Sequence, residues 1–168
     1  MNVSIVMTVL APDRTGIVKQ LSETIADHGG NWLESRMARL AGQFAGILRV
    51  ECDESGIDAL VDALEGLLTE GIAVQVQRES VVEGPERVQL TLDVVGNDRP
   101  GIVKALSAAI AGAGANVEDL HTALESAPMS GQALFHAKGV VSLPDNLLAG
   151  SLVEAIEALG ADLAVSVE

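Results

Sequence analysis

One segment of the chain occurs twice, at an offset of 85 residues. Asp13, Arg14, Gly16, Ile17, Val18, Lys19, Leu21, Ser22, Ile25, Ala26, Gly29 and Asn31 recur as the same residue types at Asp98, Arg99, Gly101, Ile102, Val103, Lys104, Leu106, Ser107, Ile110, Ala111, Gly114 and Asn116. Twelve identities in register mean a duplicated structural unit, and an internal repeat of this kind outranks local propensity as a guide to fold. In a chain of 168 residues it implies two small domains built on one plan.

The plan of each half is strand, helix, strand, strand, helix, strand. Met1 to Leu10 is rich in β-branched residues and stops near Pro12, as a strand does before a turn. Ile17, Val18, Leu21 and Ile25 mark a helix face that Gly29-Gly30 ends. Asn31 to Leu40 and Phe44 to Cys52 are expected to pair as a hairpin around Gly42. Leu60, Val61, Leu64, Leu67 and Leu68 give a second helix ending near Gly71, and Ile72 to Val76 alternates as a fourth strand. The second half closes the same way, with Leu152, Val153, Ile156 and Leu159 on a helix and Leu163, Val165 and Val167 on a strand. Gly42-Gln43 recurs as Gly131-Gln132 at an offset of 89, so four extra residues belong to a longer hairpin loop around Ser126 to Ser130.

The expected division is a first domain over 1–79, a linker over 80–86 and a second domain over 87–168, the linker falling in the charged, Gly- and Pro-containing stretch Gln77 to Glu86. Two right-handed crossovers per domain put both helices on one face of a four-stranded antiparallel sheet, an α+β fold of the ferredoxin-like type. Four strands of small apolar residues leave the other face in need of cover. That cover is expected from the sister sheet, edge to edge or face to face, or from a homodimer.

Charge and composition then exclude several functions. Ten basic against 24 acidic residues give a formal charge of −14 with no basic patch, which disfavours direct binding to nucleic acid. One Trp, two Phe and no Tyr cannot build a base-stacking platform. The one cysteine, Cys52, rules out an internal disulfide and is expected as a small half-buried strand residue. No apolar run is long enough for a membrane span, and Met1-Asn2-Val3-Ser4 begins a strand without a basic leader, so a cytoplasmic location is expected.

The repeated turns Asp13-Arg14-Thr15-Gly16-Ile17 and Asp98-Arg99-Pro100-Gly101-Ile102 each join a strand to a helix. The first N–H groups of a helix have no intrahelical partner, so such a turn can hold a small anion. Pro100 removes one donor from the second copy. A purely structural role is open for every one of these residues: Asp capping the turn, Asn tolerating a left-handed backbone after Gly, Arg solvated or paired with acids.

The D-R-x-G-I-V turn, together with the entries Gly29-Gly30-Asn31 and Gly114-Ala115-Asn116, resembles the ACT domain, a regulatory module that binds amino acids and other small metabolites. Two such modules with nothing attached, and the continuation Asn31-Trp32-Leu33-Glu34-Ser35-Arg36, are similar to the glycine cleavage system transcriptional repressor family. The resemblance implies a non-enzymatic protein that binds a small amino acid, glycine among the candidates, and acts through a protein partner, a DNA-binding transcription factor in that family. It implies no cofactor, no membrane contact and a homo-oligomer. The ligand-binding candidates are Asp13, Arg14, Thr15, Gly16, Ile17 and Asn31 in the first copy, and Asp98, Arg99, Pro100, Gly101, Ile102 and Asn116 in the second. An α-amino acid asks for this mixture: turn N–H groups and Arg for its carboxylate, Asp and Asn carbonyls for its ammonium. The copies differ at Thr15/Pro100 and Trp32/Val117, so the two sites need not be equivalent.

Signs of catalysis are sparse. His28 suits a helix end, where a cation favours the dipole. His121 and His136 are symmetric about Pro128-Met129 and are expected to face one another across the hairpin, which is one ligand short of a metal site. No Ser or Cys has an identifiable base nearby. The alternatives are a free-standing ACT regulator of a metabolic enzyme and, from another class, a small ferredoxin-like hydrolase using the Asp98-Arg99 turn on a phosphoryl group.

Overall fold

The computed structural model describes residues 1–80 and 84–168, in two compact units, Met1–Glu83 and Gly84–Glu168. In the first unit β1 (Asn2–Pro12) leads to α1 (Ile17–Asp27), β2 (Asn31–Leu40), β3 (Gln43–Asp53), α2 (Ile57–Gly66) and β4 (Ala73–Arg78). In the second, β5 (Val88–Asn97), α3 (Ile102–Gly112), β6 (Asn116–Ser126), β7 (Ala133–Leu143), α4 (Ala149–Glu157) and β8 (Ala164–Val167) repeat that order. The antiparallel sheets run β2-β3-β1-β4 and β6-β7-β5-β8, two ferredoxin-like βαββαβ units.

Period-two alternation decides which face is covered. Along β1, Ile5, Met7, Val9 and Ala11 are buried and join Leu21 and Ile25 of α1 and Leu60 and Leu64 of α2 in one core. Leu92 and Val94 of β5 do the same with Leu106, Ile110, Leu152 and Ile156. Cys52 is buried rather than half-buried, and its thiol donates to the His28 carbonyl at 3.6 Å. Trp32 is partly buried against the first core.

The alternating residues of the open face are not uniformly apolar. On the first sheet Leu10 and Ile47 are 52% and 55% exposed beside Glu34, Arg36 and Arg49, and the second carries Asp93, Glu125, His136 and Lys138. The expectation of a small-residue apolar face fails on both sheets because strand positions without helix cover accept charge.

β4 runs to Arg78 and the Glu79 N–H donates to the Ser4 carbonyl, so Gln77 and Arg78 of the charged stretch belong to the sheet. Of the expected linker over 80–86, residues 81–83 lie outside the described residues. The two-residue turn Ala41-Gly42 joins β2 to β3 with φ of 49° and 80°, the left-handed pair a tight hairpin requires. In the second unit residues 127–132 span the equivalent hairpin, with Ser126 opposite Ala133.

Candidate functional site

Each repeated turn sits at the end of the strand left of its helix, and a left-handed glycine opens the helix. Gly16 has φ 95° and Gly101 φ 82°, both as N-caps without a side-chain cap. A side chain resists that conformation, whereas Gly adopts it freely. A Cβ at either position would meet nothing within 4 Å, so both turns face open space. The first helical bonds form normally, from Gln20 N–H to the Gly16 carbonyl at 2.9 Å and from Ala105 N–H to the Gly101 carbonyl at 3.0 Å.

The turn is pinned from both flanks. Asp13 N–H donates to the Gly42 carbonyl at 2.9 Å and Asp98 N–H to the Ala133 carbonyl at 3.1 Å, tying each turn to its hairpin tip. Arg14 donates to the Gln20 side chain at 2.8 Å and to the Glu70 carbonyl at 3.4 Å. Arg99 donates to the Leu159 carbonyl at 3.2 Å and lies 3.7 Å from Asp162, whose other oxygen accepts the Asn97 N–H at 2.9 Å. That backbone bond comes first, and Arg99 adds to it, in holding the Asp162 carboxyl below the ordinary carboxylate range. Both arginines therefore brace the turn against the segment that follows the unit's second helix. Asp13 pairs with the exposed Arg39 at 3.5 Å, a contact of little energetic weight.

Of the other candidates, Thr15, Pro100 and Asp98 are exposed, while Ile17 and Ile102 are core residues that could offer a ligand only backbone. The Ile102 N–H already donates to the Arg99 carbonyl at 3.3 Å. Asn31 and Asn116 are not brought to the turns. Asn31 stands in the cross-strand row of Glu51 and Ser4, eight residues along β1 from Pro12. At ~3.4 Å per residue this is a separation of about 27 Å. Asn116, in the row of Ser142 and Gln89, is equally far from the second turn. The reason is topological: α1 and α3 return the chain to the opposite end of the sheet before the next strand begins. Asn116 also donates to Glu118 at 2.8 Å, which accepts from Ser142 at 2.7 Å. Glu118 follows Val117 at the register shift in β6, and Leu33 occupies the equivalent place in the first repeat.

The histidines do not face one another. His121 is opposite Lys138 and pairs with Asp119 at 3.3 Å, while His136 is opposite Ala123. Among the described residues no group of three or more His, Cys, Asp or Glu side chains could hold a metal ion. His28 donates to the Thr24 carbonyl of its own helix at 2.8 Å.

Sequence reasoning missed the acid pair around His136. Its Nε2 is 2.8 Å from Asp93 and its Nδ1 3.2 Å from Glu125, so only the doubly protonated ring donates to both. Glu125 chiefly, then Asp93, raise its pKa above the ordinary 6.5. A raised folded value contributes stability that is complete below the ordinary value and is lost as pH rises through the raised one. Melting temperature is therefore expected to fall over that window, and His136→Gln to remove this step. A wild-type melting profile with no step above the ordinary histidine value would contradict it.

No helix among the described residues is long and apolar enough to cross a membrane. The family model of the ACT domain matches residues 4–77 and 89–167. A solved structure of an unknown protein from Galdieria sulphuraria is 33% identical and superposes with a TM-score of 0.87, covering 100% of this chain and 98% of the other. A candidate glycine cleavage system transcriptional repressor is 17% identical with a TM-score of 0.69, covering 100% of this chain and 97% of its own, a likeness of fold. No curated protein matches the sequence at a significant level.

Proposed function

The chain belongs to the ACT domain family, with two tandem copies of the module, and we propose that it is a non-enzymatic regulator that binds a small amino acid and passes occupancy on to a protein partner. The observation that supports this most is the pair of left-handed glycine turns, open on the side where a Cβ would project and each opening a helix of 11 residues. Unpaired N–H groups at such a turn suit the carboxylate of an amino acid. The bracing of Arg14 and Arg99 holds the turn in shape, which keeps the cost of ordering a ligand site low.

The sequence resemblance to the glycine cleavage system transcriptional repressor family is what supports glycine as the ligand and a DNA-binding transcription factor as the partner. A charge of −14 fits a protein that reaches DNA only through such a partner. Because turn and Asn lie at opposite ends of a sheet, one ligand does not touch both within a single module.

A thermal-shift screen of the amino acids tests the reading. A ligand at 100 times its dissociation constant adds about 2.7 kcal/mol, enough to raise the melting temperature by several degrees. The same protein is expected not to retain duplex DNA at physiological salt. Absence of a shift with every amino acid, or tight retention of DNA by the purified chain, would overturn it.

A further inference from the structure

The uncovered face of the second sheet carries a charged brace that the first sheet lacks. Asp93 of β5, His136 of β7 and Glu125 of β6 project from it together, and the ring joins them, with Nε2 2.8 Å from Asp93 and Nδ1 3.2 Å from Glu125. Both bonds need both ring protons. When the ring is neutral one carboxylate is left facing a nitrogen lone pair, and access to solvent decides which one turns away. The Glu125 side chain is 57% exposed and that of Asp93 33%, so Glu125 turns to water and the remaining proton stays with Asp93. The second proton therefore makes the Glu125 bond, in keeping with Glu125 being the larger cause of the raised histidine pKa.

The Glu125 bond fastens the end of a hairpin. Glu125 is opposite Leu134 and Ser126 opposite Ala133, the last pairs before the tip at 127–132, and the Ala133 carbonyl accepts the Asp98 N–H at 3.1 Å. What holds this hairpin end also holds the second turn. The first repeat keeps the tie, from the Asp13 N–H to the Gly42 carbonyl, but places Thr8, Ala45 and Leu40 where the second has Asp93, His136 and Glu125. None of those three titrates. Around the brace, Lys138 and His121 share the cross-strand row of Asp93, Asp119 pairs with His121, and Glu168 lines one hollow with Asp93 and Lys138, while α3 and α4 pack on the opposite face. Of these groups only His121 titrates near the range of His136.

We propose that Asp93, His136 and Glu125 form a proton-operated latch that holds the second repeated turn and not the first. With His136 charged, the hairpin end is fastened and Asp98 is held. With His136 neutral, Glu125 is released and the turn loosens, weakening ligand binding there by about threefold. That binding effect rests on the reading of the turns as amino-acid sites, whereas the latch itself does not.

Amide NMR of the full chain through the histidine range, without ligand and then with glycine as the probe, tests it. The Asp98, Arg99 and Gly101 signals are expected to shift with the midpoint of the His136 ring, while Asp13, Arg14 and Gly16 show no such step. His136→Gln is expected to abolish the step, and Glu125→Gln to lower the ring and turn midpoints together, since removing a carboxylate favours the neutral ring. His121→Gln is expected to change neither. Glycine, followed at Gly101, should bind about threefold more weakly above the step than below it, with constant affinity at Gly16. Second-turn signals without a step, a step that survives His136→Gln or follows His121, or glycine affinity at Gly101 that ignores the step would overturn the proposal. No glycine response at either turn would count against the turns as glycine sites, and the ligand-free titration would still decide the latch.

Discussion

Gly16→Val is expected to leave the first unit folded and to abolish amino-acid binding at its turn, with Gly101→Val acting the same way in the second. The φ of 95° at Gly16 and 82° at Gly101 makes either substitution cost about 1–3 kcal/mol. That cost is confined to the backbone, because a Cβ at either position meets no atom within 4 Å. A β-branched side chain would fill the space through which a carboxylate approaches the helix N–H groups. Gly16→Asn serves as the comparison, since Asn tolerates the left-handed region better than Val does. Circular dichroism with isothermal titration checks the pair of effects. Unchanged affinity in both Val variants and in the double variant, with native spectra, would make the repeated turn a structural device only.

Gly139→Ala is expected to destabilise the second unit by about 3 kcal/mol. A Cβ there would lie well inside contact distance of the Asp119 carbonyl oxygen, with the Leu120 Cα also close. Both atoms are backbone of the neighbouring strand, beside the register shift in β6, so relief requires the strand pair to part. Gly46 in the first sheet has the milder version, with a Cβ 2.8 Å from the Arg36 carbonyl oxygen and 2.7 Å from the Met37 side chain, which can move. Urea unfolding of the two Ala variants should therefore show Gly139→Ala as the larger loss. A loss below about 1 kcal/mol at Gly139 would contradict the close approach.

The fold was legible because the chain states it twice. The 85-residue register fixed which glycine ends α1 and α3. The first strand, by contrast, was legible only as a β-branched run, and with Val6 and Leu10 apolar too, the face that Ile5, Met7, Val9 and Ala11 bury was set by the helices packed on it. The four extra residues of the second hairpin were legible for the same reason, as a change of offset from 85 to 89. The strand ends were not: Pro12 and Arg78 stay in the sheet because their neighbours Gln43 and Ile5 hold them there, a tertiary effect that local turn signals obscure.

The candidate site was legible only in part. A glycine before a helix signals a left-handed turn, and Gly16 and Gly101 adopt it. Proximity in sequence did not carry over to proximity in space for Asn31 and Asn116, since a helix of 11 residues returns the chain to the far end of the sheet. The partners of Arg99 and His136 come from positions 60 and 43 residues away, Leu159 and Asp93, and only strand pairing and helix packing bring them in. Repeats helped little there, because Asp162 and Glu125 lie where the two copies have diverged.

Amide hydrogen exchange, with and without a saturating amino acid from the thermal-shift screen, tests the central claim most directly. Binding at the repeated turn should slow exchange at residues 15–19 or 101–104, the N–H groups that open α1 and α3, by at least tenfold while leaving the strand cores unchanged. Saturable amino-acid binding with no added protection in either segment would contradict the account.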